Sequence, residues 1–161
     1  FYASSLSIND VESSPALREV NYGELFNKKK KWVEKNLPQH KKDPDFVYPD
    51  GESFSQMQQR SVAYVESLSE KHADETLLIV VHAGVIRGLI CHFLELDYAN
   101  NLKRHMGHQY IGDFTLEGNT CVRYDELGKP SEFVRKDVVK TPYYRPDEKG
   151  ILTDQPYLPS I

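Results

Sequence analysis

A histidine at the end of an apolar run is the residue of this chain best placed to do chemistry. Leu77-Leu78-Ile79-Val80-Val81 stops at His82, and Ala83-Gly84-Val85-Ile86-Arg87 follows. A β-branched apolar run of this length reads as a central strand buried on both faces of a parallel sheet. His82 then falls where the strand ends and a helix begins. Ligands of open α/β sheets bind at that carboxyl edge, and the first N–H groups of a helix lack partners within it and serve as anion donors. An imidazole beside the Ala83 and Gly84 amides is suited to hold a phosphate. Taken alone, His82 is equally an ordinary turn residue that caps the helix or bonds a neighbouring carbonyl, because position in a fold does not establish function.

The elements that would position it follow from periodicity. Ser53-x-x-Gln56 has the form of a capping box. Phe54, Met57, Ser61, Val65 and Leu68 recur behind it at helical spacing, which predicts a helix from Ser53 to about His72 with one buried stripe. With the strand at 77–81 and a helix over 84–96, this is a helix–strand–helix unit of α/β type. Glu24 to Asn36 is predicted helical, with Leu25, Trp32 and Val33 apolar around Lys28–Lys31; Pro38, Pro44, Pro49 and Gly51 make 37–51 a loop. Ile111–Leu116 and Thr120–Asp125 flank Glu117-Gly118-Asn119 and predict a hairpin; Ser131–Val139 is a candidate further strand. Residues 1–140 read as one domain, and 141–161 as a Pro- and Tyr-rich tail without periodicity.

Two further segments stand in order before the histidine: Leu17-Arg18-Glu19-Val20-Asn21-Tyr22-Gly23, then Pro49-Asp50-Gly51-Glu52-Ser53 with Arg60 beyond it. Together with His82-Ala83-Gly84, this ordered triple resembles the histidine phosphatase superfamily, the phosphoglycerate mutase-like proteins, over about residues 17–125. The resemblance implies an α/β three-layer sandwich with a mostly parallel central sheet flanked by helices. It implies phosphoryl transfer to a histidine nitrogen followed by hydrolysis, without metal or cofactor. His82 would match the family's second active-site histidine, a clamp on the phosphoryl oxygens, with Ala83 and Gly84 adding amide donors. Glu19 would match the proton donor to the leaving oxygen and later the base that activates water. Tyr22 would match a substrate-touching position. Lys28–Lys31 could meet a substrate carboxylate or second phosphate. Each has a plainer reading: Glu19 as a charge favourable to a helix dipole, Tyr22 as packing, Lys28–Lys31 as a solvated face. Arg60 and Arg87 read as structural ion-pair or surface residues.

The chain departs from the family at two points. Its members open with a strand ending in Arg-His-Gly, which carries the nucleophile and a phosphate-binding arginine, and no Arg-His-Gly occurs in these 161 residues. Arg104-His105-Met106-Gly107 is a different motif on the wrong side of His82. Phe1-Tyr2-Ala3-Ser4-Ser5-Leu6 resembles the family's second strand end, but the arginine and helix that should follow are absent before Arg18. A truncated form, a pseudoenzyme, and a longer protein with its first strand outside these residues all fit; the last is favoured here. Without that strand the sheet would expose apolar edges, which a homo-oligomer is one way to cover.

Bulk composition narrows the partners. One domain with 27% charged and 39% hydrophobic residues is ordinary and globular, and a net charge of −4 gives no reason to expect nucleic acid or membrane as partner. There is no apolar run of spanning length and no signal-peptide pattern. Cys91 and Cys121 lie far apart without metal spacing, so a reduced cytoplasmic protein is expected, with Cys91 a small core residue. The leading function is hydrolysis of a small phosphomonoester. The alternatives are phosphoglycerate mutase-type transfer, a phosphate-binding module without turnover, and a metal hydrolase using His105-x-x-His108 with Asp113.

Overall fold

The computed structural model describes residues 11–103, 106, 110–127, 144–146 and 152–156. Two single 3-10 turns, Pro15–Leu17 and Gly23–Leu25, lead into helices α1 (Lys30–Asn36), α2 (Phe54–Lys71), α3 (Ala83–Phe93) and α4 (Tyr98–Asn101). Strands β1 (Gly112–Glu117) and β2 (Thr120–Glu126) follow, then β3 (Tyr144–Pro146) and β4 (Leu152–Pro156). Both pairs are antiparallel.

Local chemistry accounts for most boundaries. The Ser53 hydroxyl accepts from the Gln56 N–H at 3.1 Å and the Gln56 side chain accepts from the Ser53 N–H at 2.8 Å, so α2 starts on the predicted capping box. Its buried face is Phe54, Met57, Ser61, Val62 and Val65. At the end of α3 the Leu96 N–H reaches the Cys91 carbonyl at 2.7 Å and the Glu95 N–H the His92 carbonyl at 3.1 Å. This is a Schellman closure, with Glu95 at φ +54 where glycine is usual. The hairpin turns on Gly118, at φ +59, with a register shift between Thr115 and Leu116.

α2 lies against α3, with the Gln58 side-chain amide donating to the Gly88 carbonyl at 2.9 Å. Met57, Val85 and Tyr48 are among the fully buried side chains. Phe114 and Leu116 of β1 and Cys121 of β2 pack on the same core as Val20, Leu25, Val33, Phe54 and Leu89. Cys91 is buried beside Ile90, Leu96 and Met106, as a small core residue would be.

Two expectations need correction. Residues 77–81 carry no regular secondary structure and join no strand among the described residues. Leu77, Leu78 and Val80 are 40%, 70% and 86% exposed, although Ile79 and Val81 touch the core. Burial on both faces requires a neighbour on each side, and no described residue supplies one. The segment from Glu24 to Asn36 is not one helix. The lysine run begins α1 without a side-chain cap, from Lys29 at φ −61 and ψ 134, where cations face the positive end of the helix dipole. The candidate strand at 131–139 and residues His105 and His108 lie outside the described residues. No described helix is long and apolar enough to cross a membrane.

Candidate active site

Arg60 is the residue through which the first two sequence segments meet. It projects from the second turn of α2, and its Nε and Nη2 donate to Glu52 Oε2 at 2.9 Å and Oε1 at 2.8 Å. Its remaining donors reach the main chain of the 3-10 turn and the strand-like stretch after it. Nη1 meets the Ala16 carbonyl at 2.6 Å, and Nη2 the Arg18 and Glu19 carbonyls at 2.7 and 3.2 Å. A planar guanidinium with a rigid fork of donors is the side chain able to satisfy a carboxylate and three carbonyls together. Glu52 completes the clip by accepting from the Asn21 N–H at 2.9 Å, while its own N–H donates to the Asn21 carbonyl at 3.0 Å. Burial alone would raise the Glu52 carboxyl, but the hydrogen bonds from Arg60 and Asn21 and the guanidinium charge outweigh it and hold the carboxyl below its ordinary value.

The Tyr22-Gly23 turn is seated by the same two segments. The Glu24 N–H donates to the Pro49 carbonyl at 2.9 Å. Gly23 takes φ +51 directly against that carbonyl, where a β-carbon would overlap it; only glycine meets both demands. Tyr22 packs edge-on to Tyr48 and Phe54, with ring centroids 5.0 and 6.3 Å away. Burial, then the negative charge of Glu19, pushes its hydroxyl above its ordinary value, opposed by Arg87. Tyr22 is therefore packed on one face and within electrostatic reach of Glu19 and Arg87.

With its backbone clipped, Glu19 reaches the third segment. Its Oε1 accepts from the Val20 N–H at 2.9 Å and its Oε2 from the Gly84 N–H at 3.0 Å. Gly84 is buried, and a β-carbon there would overlap the carboxylate. His82 is the residue before α3, at φ −76 and ψ 156, and its side chain makes no capping hydrogen bond. Its imidazole is exposed, as is Ala83. The Tyr98 hydroxyl is buried without a hydrogen-bond partner among the described residues. Burial raises it most, with Arg87 opposing and Glu19 and Tyr22 reinforcing.

Glu19, Tyr22, Gly84 and His82 thus gather at one helix N-terminus. The arrangement places a carboxylate, an imidazole and a helix end close together. This is a geometry for binding an anion and moving a proton at its edge. The Glu52–Arg60 pair bears out the reading of Arg60 as a structural ion-pair residue; what sequence reasoning missed is the clip it forms over the main chain of the first segment. Its only signal was an arginine eight residues from Glu52 on a well-capped helix. Of the alternative metal set, Asp113 pairs with Arg123 at 3.0 Å, and no metal-holding cluster occurs among the described residues.

Residues 3–126 match the sequence model of the histidine phosphatase superfamily, branch 1. Over 52 residues the chain is 35% identical to a metal-independent phosphoserine phosphatase of Arabidopsis thaliana, a stretch covering 32% of this chain and 22% of that protein. Among solved structures, YhfR of Bacillus stearothermophilus aligns with a TM-score of 0.60 and 25% identity, over 68% of this chain and 57% of that one. The native mycobacterial glucosyl-3-phosphoglycerate phosphatase aligns with a TM-score of 0.63 and 20% identity, over 78% of this chain and 66% of that one, a likeness of fold. The chain spans less than two thirds of each of these relatives.

Proposed function

The chain belongs to the histidine phosphatase superfamily, and from that premise we propose that its protein hydrolyses a small phosphomonoester, with His82 as phosphate clamp and Glu19 as general acid and base. The observation that carries this reading is the Glu19 carboxylate held against the first turn of α3 at the Gly84 N–H, two residues after His82. A mostly parallel, three-layer α/β sandwich is the architecture we propose for the fold, with the apolar run 77–81 as one of its strands. Two cysteines, Cys91 and Cys121, far apart in the sequence, suit a reduced compartment such as the cytoplasm.

In the first half-reaction a histidine nitrogen outside this motif set attacks phosphorus. The ester P–O bond breaks, and Glu19 delivers a proton to the departing oxygen. In the second, water attacks the phosphohistidine, the N–P bond breaks, and the Glu19 carboxylate takes the proton from water. His82 and the Ala83 amide offer positive charge and a donor to the equatorial oxygens, where charge redistributes in transfer. An arriving phosphate competes with Glu19 for the Gly84 N–H, which frees the carboxyl to turn toward the leaving oxygen. Tyr22 lines the substrate side of the same pocket.

A second reading, phosphate binding without turnover, is favoured by the absence of an Arg-His-Gly triplet from the 161 residues. Thermal denaturation with inorganic phosphate tests the site. Phosphate at about a hundred times its dissociation constant should stabilise the protein by about 2.7 kcal/mol, and His82→Ala should abolish that gain. Equal stabilisation of parent and His82→Ala overturns the assignment. Hydrolysis of p-nitrophenyl phosphate then separates turnover from binding.

A further inference from the structure

Seven consecutive residues, Phe26 through Trp32, are all exposed and none is acidic. Four of them are Lys28, Lys29, Lys30 and Lys31, and the two ends are aromatic: Phe26 is 79% exposed and Trp32 47%. The segment is not a fraying end. Leu25 immediately before it and Val33 immediately after it are both buried in the main core at 8% exposure, so the seven residues form an exposed stretch anchored at both ends. Lys35 adds a fifth positive charge close by. The carboxylate in this stretch, Glu34, lies 3.7 Å from Lys30 with both side chains at least half exposed, a pair that solvent largely screens. The Lys28 ammonium sits 5.5 Å from the Trp32 ring centroid.

A soluble surface tolerates single exposed aromatics and solvated lysines. Two large exposed aromatics bracketing four adjacent lysines on an anchored stretch are a different pattern. Lysine stems cover apolar surface while their ammonium groups stay in the polar phase, and tryptophan and phenylalanine settle at the headgroup level of a bilayer. Basic clusters are drawn to anionic leaflets through a potential that fades within a Debye length. Net charge does not oppose this, because the five lysines and one glutamate of residues 26–36 invert locally the −4 of the whole chain. Single-stranded nucleic acid calls for a groove with successive stacking platforms along it; here the two rings stand at the ends of the lysine run.

We propose that residues 26–35 dock the protein peripherally on an anionic phospholipid surface, with Phe26 and Trp32 entering the headgroup region and Lys28–Lys31 facing lipid anions. Trp32 is the single tryptophan of the chain, so its fluorescence reports the contact directly. The protein is mixed with vesicles of phosphatidylcholine alone or with roughly one third phosphatidylserine, and blue shift and co-sedimentation are followed. Binding is expected with the anionic vesicles only, lost at about 1 M salt. Exchange of all four of Lys28–Lys31 for glutamine should weaken binding by well over about tenfold. Phe26→Ser should weaken it several-fold while leaving its salt dependence in place. All these positions are exposed, and unchanged circular dichroism and melting temperature show that the variants fold. No binding to the anionic vesicles, equal binding to both vesicle types, or full binding by the glutamine variant overturns the proposal. So does tighter binding of single-stranded RNA that displaces the protein from vesicles.

Discussion

Glu19 and Gly84 lie 65 positions apart in the chain, yet the carboxylate of one accepts the main-chain N–H of the other at 3.0 Å. This bond ties the loop before the Tyr22-Gly23 turn to the start of the helix that follows His82. It is also the contact through which a bound phosphate and the proton-transfer group would sense each other. The fit depends on there being no side chain at position 84.

Gly84→Ala should therefore destabilise the protein despite improving helix propensity. Losing a hydrogen bond to a charged acceptor costs about 1.5–3 kcal/mol, while Gly to Ala in a helix returns up to about 1 kcal/mol. A net loss of about 1 kcal/mol is expected by urea denaturation. The carboxylate should also be displaced from the helix end, so the response to phosphate should change with it. A variant more stable than the parent would show that the Glu19 contact is dispensable.

Arg60→Met should be more damaging, because it strips a carboxylate and three carbonyls of their donor. Breaking a buried pair from one side costs about 3–5 kcal/mol. The side chains here are 26% and 19% exposed, so about 2 kcal/mol is the expected loss after solvent screening.

The same pair gives stability a pH dependence of definite sign. The folded-state pKa of Glu52 lies below its ordinary value of 4.5. Its contribution is therefore fully present above that value and is lost as pH falls through the depressed folded pKa. Melting temperature against pH should show an acid decline below about pH 4.5 that is shallower in Arg60→Met and in Glu52→Gln. An unchanged acid slope in both would remove the clip from the account.

Glu95→Gly should stabilise. Glu95 closes α3 at φ +54, a conformation costing a side-chain-bearing residue roughly 1–2 kcal/mol, and glycine occupies such helix ends freely at some cost in chain entropy. A gain of about 0.5 kcal/mol is expected by denaturant titration, and a loss would mean that the Glu95 side chain contributes something the backbone geometry does not show.

Local chemistry fixed what could be read along the chain. Ser53 and Gln56 determined where α2 begins, and Gly118 determined the turn between β1 and β2. The order of the Glu19, Glu52 and His82 segments determined the family, because these features depend on residues a few positions apart or on types alone. Tertiary structure decided the rest. Arg60 becomes the clip over Ala16, Arg18 and Glu19 only because α2 lies beside a loop more than 40 residues earlier, and no periodicity encodes that distance. The apolar run 77–81 shows the opposite limit. Its composition specifies an extended, sheet-forming segment, but burial is a property of neighbours, and Leu78 and Val80 remain in solvent where no described strand lies against them.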